Sequence, residues 1–273
     1  HDGTPYANRF VGTVSTFLGI GDVNGDGADD IAFGSGSNVI CLNGHDLSNL
    51  PNYPFATGNA VTGAPLIFDI NADGACDVIF GSKDRHLYCL SGTAQSIGAY
   101  PIYLNTELLS TPCVFSRGEC EIGVLGSDGR FWLLNTDGIV RSFTEASHNM
   151  LTYASPVVGD IDRDGQNEAV IINGYGTIYI FNRDTLETKF DILIDTIFYY
   201  TPALADIDHD GFLEIVMPNS STSLYATNRN GTLVNDFPVH YEDFLLYPLL
   251  IADLDASGSE EIAFGLETSD SLG

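Results

Sequence analysis

The chain has 273 residues, 44% hydrophobic and 17% charged, with 37 acidic against 10 basic side chains and a formal net charge of −27. That charge makes nucleic acid and anionic membrane surfaces poor partners, because both select clustered lysine and arginine. No apolar run reaches the length needed for a membrane span, so no membrane insertion is expected, and the hydrophobic content is enough for a sizeable core.

In chain order the sequence predicts one recurring unit of short strands about 46 residues long, and no helical periodicity. Residues 11–57 hold the first copy: an acidic loop from Asp22 to Asp30, then strands at Ile31–Phe33 and Val39–Asn43, then a closing segment at Tyr53–Phe55. Residues 58–104 repeat it, with an opening strand at Pro65–Phe68, a loop from Asp69 to Asp77, strands at Val78–Phe80 and Leu87–Ser91, and Tyr100–Ile102. Residues 105–148 keep strands at Pro112–Phe115 and Phe131–Asn135, but Ser116–Cys120 is too short and too poor in acids to repeat the loop, and Arg117 would oppose a cation. The loop returns from Asp160 to Glu168 in residues 149–194 and from Asp206 to Glu214 in residues 195–241. In residues 242–273 it runs from Asp253 to Glu261, and the sequence stops where a third strand should begin. Residues 1–10 read as the tail of a unit, so an outer strand from the N-terminus is expected to complete the sixth copy.

The five loops share one pattern: oxygen-bearing side chains at positions 1, 3, 5 and 9, and glycine at position 6. Calcium takes six to eight hard oxygen ligands, and acids at alternate positions can point at one centre, with the carbonyl of position 7 and a water completing the shell. The expected ligand sets are Asp22, Asn24, Asp26, Ala28 and Asp30; Asp69, Asn71, Asp73, Ala75 and Asp77; Asp160, Asp162, Asp164, Gln166 and Glu168; Asp206, Asp208, Asp210, Phe212 and Glu214; and Asp253, Asp255, Ser257, Ser259 and Glu261. Ser257 carries no charge at position 5, so the last site should bind more weakly. Asp, Asn and Gly also favour plain solvated turns, but five copies in register favour ion cages, about five Ca2+ in all. An EF-hand is rejected because its loop closes with Glu at position 12 between helices, whereas these loops close at position 9 and run straight into strands.

Four strands per unit without helices predict an all-β fold, a β-propeller of about six four-stranded blades with the calcium loops between first and second strands, in a single domain over residues 1–273. A segment of a seven- or eight-bladed ring is the alternative.

These loops with their flanking strands, and the Phe-Gly pairs at Phe33-Gly34, Phe80-Gly81 and Phe264-Gly265, resemble the FG-GAP or VCBS-type calcium-binding repeat family, whose known members include the propellers of integrin α subunits and secreted bacterial proteins. The resemblance covers almost the whole chain and implies architecture and calcium. It carries no ligand with it.

Catalytic signatures are not evident: the six histidines do not cluster, and paired carboxylates belong to the cages. Strand-entry tyrosines Tyr153, Tyr199, Tyr200 and Tyr247, with Arg85 on a facing loop, could meet a ligand, or the tyrosines could cap the core. Cys113 and Cys120 could form a disulfide or remain thiols; Cys41 and Cys89 are expected as buried thiols. Together these features lead to an expected extracellular, monomeric binding or adhesion module for a protein or glycan within a larger chain. A polysaccharide-active enzyme domain and a lectin with repeated sugar pockets are the alternatives. Calcium near millimolar outside cells would fill sites of modest affinity.

Overall fold

A computed structural model describes residues 8–115, 120–145, 154–173, 176–182, 186–191, 200–219, 222–256 and 260–267. Among these residues every regular element is a strand, and no helix is long and apolar enough to cross a membrane. The chain forms two compact units: His1–Pro112 with Cys120–Ser127 and Trp132–Arg141, and Cys113–Glu119 with Asp128–Phe131 and Ser142–Gly273.

In the first unit, β1 (Gly19–Gly21), β2 (Asp30–Ser35), β3 (Asn38–Leu42) and β4 (Phe55–Ala56) form one antiparallel sheet in chain order. Next come β5 (Leu66–Phe68), β6 (Asp77–Gly81), β7 (His86–Leu90) and β8 (Ile102–Tyr103), paired in the same way. A further four-stranded sheet, which falls wholly in neither unit, has the order β12-β11-β10-β9, with β9 at Cys113–Phe115, β10 at Glu121–Leu125, β11 at Arg130–Asn135 and β12 at Val140–Glu145.

The second unit contains the sheets β13 (Val157–Gly159), β14 (Glu168–Ile172), β15 (Thr177–Phe181), β16 (Leu186–Asp191), and β17 (Ala203–Ala205), β18 (Glu214–Pro218), β19 (Ser223–Thr227), β20 (Val239–His240). The pair β21 (Phe244–Ala252) and β22 (Glu261–Glu267) completes it. Residues 8–10 carry no strand, and residues 1–7 of the expected N-terminal contribution lie outside the described residues.

The strands expected from sequence recur to within a residue or two at their ends. The outer strands of three sheets are two residues each, and each begins directly after a proline: Pro54, Pro101 and Pro238; the closing segment expected at Tyr53–Phe55 thus begins two residues later than expected, as does that at Tyr100–Ile102. Proline has no amide hydrogen to donate to the ladder, so pairing starts one residue later.

The middle strands are buried along their whole length, as β6, β14, β15, β18 and β19 show. This is why they read as unbroken apolar runs rather than alternating ones. In the first unit the core gathers Val39, Val61, Val78, Phe80, Tyr88 and Leu90, with Phe80 stacked on Tyr88 at 5.0 Å. In the second unit Ile172, Ile178, Ile180, Ile215 and Met217 form the equivalent cluster.

Candidate metal centres

Each acidic loop sits between the first and second strands of its sheet, and its backbone is curled by its own carboxylates. The position-1 acid accepts the position-6 amide: Asp22 from Gly27 at 2.8 Å, Asp69 from Gly74 at 2.9 Å and Asp160 from Gly165 at 3.1 Å. The position-3 side chain accepts the position-5 amide, from Asn24 at 2.8 Å to Asp208 at 3.1 Å. Position 5 accepts the position-7 amide in turn, as Asp164 does from Gln166 at 2.7 Å and Asp210 from Phe212 at 2.8 Å. The position-9 acid closes every loop on the position-2 amide: Val23 to Asp30 at 3.1 Å, Ile70 to Asp77 at 3.2 Å, Ile161 to Glu168 at 3.1 Å, Ile207 to Glu214 at 3.0 Å and Leu254 to Glu261 at 2.7 Å.

In three loops the carboxylates converge. Oxygens of Asp160, Asp162 and Glu168 lie within 4.8 Å of one another, as do those of Asp206, Asp208 and Asp210, and of Asp253, Asp255 and Glu261. In the first two loops position 3 is an amide instead, and Asn24 and Asn71 donate to Asp26 and Asp73 at 2.9 and 3.0 Å. Ser257 and Ser259 lie outside the described residues.

The loop at Asp206–Glu214 is a good fit for a hard divalent cation. Asp206 Oδ1 and Glu214 Oε1 are both buried and neither receives a hydrogen bond. A buried carboxylate oxygen with no donor is costly, and a cation held by oxygen ligands would remove that cost. Burial raises the Glu214 carboxyl to about 7, with Asp208, Asp210 and Asp206 adding to the shift. Burial likewise raises Asp77 to about 7 and raises Asp30.

One feature of the loops is not visible in the residue pattern. Position 4 has a left-handed backbone in all five: Gly25 (φ 74°), Ala72 (58°), Arg163 (62°), His209 (60°) and Ala256 (59°). Only the first loop places glycine there, so four loops carry backbone strain that their carboxylate bonds must hold. Close glycine contacts also fix the first loop. A Cβ on Gly44 would meet Asp29 O at 2.0 Å, and one on Gly92 would meet Val23 O at 2.3 Å. The sequence signal for these contacts is a glycine two residues after the end of the third strand.

Cations of the chain itself border the loops of the second unit. Arg229 pairs with Asp162 at 3.0 Å, and the Arg163 guanidinium lies 5.5 Å from the Phe212 ring centre. Of the residues proposed from sequence to meet a ligand, Arg85 is exposed and Tyr200 half-buried. Tyr153 and Tyr199 lie outside the described residues, and Tyr247 falls in β21 with its side chain outside them. Cys41 and Cys89 are buried thiols; Cys113 and Cys120 form no disulfide, which corrects that alternative.

Residues 160–217 match the family model of the FG-GAP-like repeat. The chain carries an FG-GAP-like repeat. The matched segment holds two whole acidic loops and the strands β14 to β17 between them. No curated protein sequence matches at a significant level. Among solved structures, the chain is similar to BBS1N in complex with ARL6DN (TM-score 0.58, 11% identity, 82% of this chain and 66% of that one). It is also similar to BamB from Moraxella catarrhalis (TM-score 0.54, 13% identity, 88% and 78%). A third likeness is to the V. cholerae biofilm matrix protein Bap1 (TM-score 0.58, 17% identity, 88% of this chain but 41% of that one). At these identities the likeness is one of fold.

Proposed function

We propose that this protein is an extracellular β-propeller of about six blades whose loops bind about five Ca2+ ions, and that it serves as a binding or adhesion module for a protein or glycan. The observation that carries the reading is the pair of buried, donor-free oxygens on Asp206 and Glu214 within a loop pattern that occurs five times. Calcium would supply charge neutralisation at these carboxylates; the chain's own residues curl the loops and orient the oxygens. Most acids of the loops accept loop amides, which supports a structural use for them and a non-enzymatic role for the module. The likeness to a biofilm matrix protein supports a place at the cell surface or outside it.

The test is thermal unfolding in millimolar calcium and in excess EGTA. A ligand that binds only the folded state at a hundred times its Kd adds about 2.7 kcal/mol per site. A clear calcium-dependent rise in Tm is the expected result, and superimposable curves from metal-stripped and calcium-loaded protein would refute the reading.

A further inference from the structure

The turn between β6 and β7 differs from two related turns in one residue. In it Ser82 N–H bonds His86 O at 3.1 Å and Arg85 N–H bonds Ser82 O at 3.1 Å. The β14–β15 turn closes the same way, with Asn173 N–H on Thr177 O and Gly176 N–H on Asn173 O, both at 3.0 Å. The position matching Arg85 is there Gly176, at φ 82°. In the β10–β11 turn Arg130 N–H bonds Asp128 at 3.2 Å, as His86 N–H bonds Asp84 at 3.1 Å, and the matching residue is Gly129 at φ 81°. Arginine at φ 73° therefore holds a left-handed position that is glycine in those two turns, while the matching residue of the β18–β19 turn is Thr222. Strain of this kind persists where the surroundings enforce it, and it concentrates at functional sites.

The surroundings do enforce it. The Asp84 carboxylate accepts Gly58 N–H and Tyr88 hydroxyl, both at 2.7 Å, as well as His86 N–H. Leu104 N–H bonds Arg85 O at 3.0 Å, which ties the turn to β8. Tyr103, 54% exposed, lies opposite His86 in the β7–β8 pairing, with ring centres 5.2 Å apart. Its hydroxyl receives a long hydrogen bond from Arg85 Nη1 at 3.5 Å and donates to Asn105 at 3.0 Å. The matching cross-strand pairs in two other sheets are Asn38 with Ala56 and Ser223 with His240, so only this sheet among the three presents a tyrosine there.

We propose that Arg85 and the exposed ring of Tyr103 form a binding site for a carboxylate-bearing saccharide, with the guanidinium on the carboxylate and the phenol ring under the sugar. This rests on the binding-module reading above and assigns it a ligand class and a place. A guanidinium fork matches a carboxylate in two parallel bonds. In a chain of 37 acids and 10 lysines and arginines, Lys83 and Arg85 stand on either side of Asp84, whose carboxylate is turned to Gly58, Tyr88 and His86. One aromatic ring with a guanidinium at its edge suits a single sugar residue; a stable protein interface needs roughly 800 Å2 per partner. Asp84 is the positioning residue.

The test is binding of uronate- and sialate-terminated oligosaccharides, with their neutral counterparts, to the full chain in calcium. Arg85→Gly removes the guanidinium and relieves the backbone, so its Tm should equal or exceed the parent's. Its affinity for carboxylated probes, and that of Tyr103→Ala, should fall about tenfold or more. Arg130→Ala, on the matching β10–β11 turn, should bind as the parent does. Undiminished binding by Arg85→Gly, or no binding of any carboxylated probe, overturns the site. If a neutral glycan or a protein is captured and Arg85→Gly leaves that unchanged, the site is wrong while the binding-module reading stands.

Discussion

Replacing Glu214 by Gln should change stability in opposite directions with and without calcium. Glu214 is fully buried; Oε2 accepts Ile207 N–H at 3.0 Å and Oε1 has no donor. Its carboxyl is raised from 4.5 to about 7, so at pH 8 the metal-free fold holds an unfavourable charge. The full shift corresponds to about 3 kcal/mol. The loop above it is open to solvent, and screening reduces the effect to about 1–2 kcal/mol. Glutamine keeps the acceptor for Ile207 and removes the charge, so in EGTA at pH 8 the variant should melt higher, by roughly 2–4 °C per kcal/mol. In millimolar calcium it should melt lower than the parent, because a charged ligand is gone. Differential scanning calorimetry of both proteins in both buffers reads the sign. Equal destabilisation of the variant in EGTA and in calcium would show that Glu214 is only a structural acceptor.

Metal-free protein should also lose stability as pH rises. Asp77 and Glu214 are raised in the fold from 3.8 and 4.5 to about 7, so their contribution is complete below about pH 4 and is lost as pH climbs through 7. Saturating calcium should abolish that decline, as a pH series of urea midpoints would show. Ala72→Gly should stabilise and Gly25→Ala destabilise, each by about 1 kcal/mol, because both sit at the left-handed loop position and the Gly25 site has room for a methyl. Chemical denaturation measures both. Phe80→Ala should cost about 3–5 kcal/mol with or without calcium, since its ring is fully buried and stacked on Tyr88.

The strand repeat was legible because middle strands buried on both faces leave continuous apolar runs, and because glycine and alternating acids punctuate them. The loops' positions between first and second strands followed from the same spacing. The left-handed position 4 was not legible: Ala72 and Arg163 carry no preference for it, and the ring of carboxylate–amide bonds around them holds it. The closing segments Tyr53–Phe55 and Tyr100–Ile102 include Pro54 and Pro101, whereas the ladder begins only after each proline, which has no amide hydrogen to donate. The sequence places Arg85 on a facing loop; that it holds a left-handed position taken by Gly129 and Gly176 in two other turns is shown only by the backbone and hydrogen bonds of the turn.

The most direct measurement is the number of calcium ions bound by chelator-stripped, folded protein, by isothermal titration calorimetry with metal analysis of the stripped sample. About five ions per chain, with the site at Asp253–Glu261 the weakest, is the predicted result. A folded, metal-free protein that binds no calcium at millimolar concentration would contradict the cages outright.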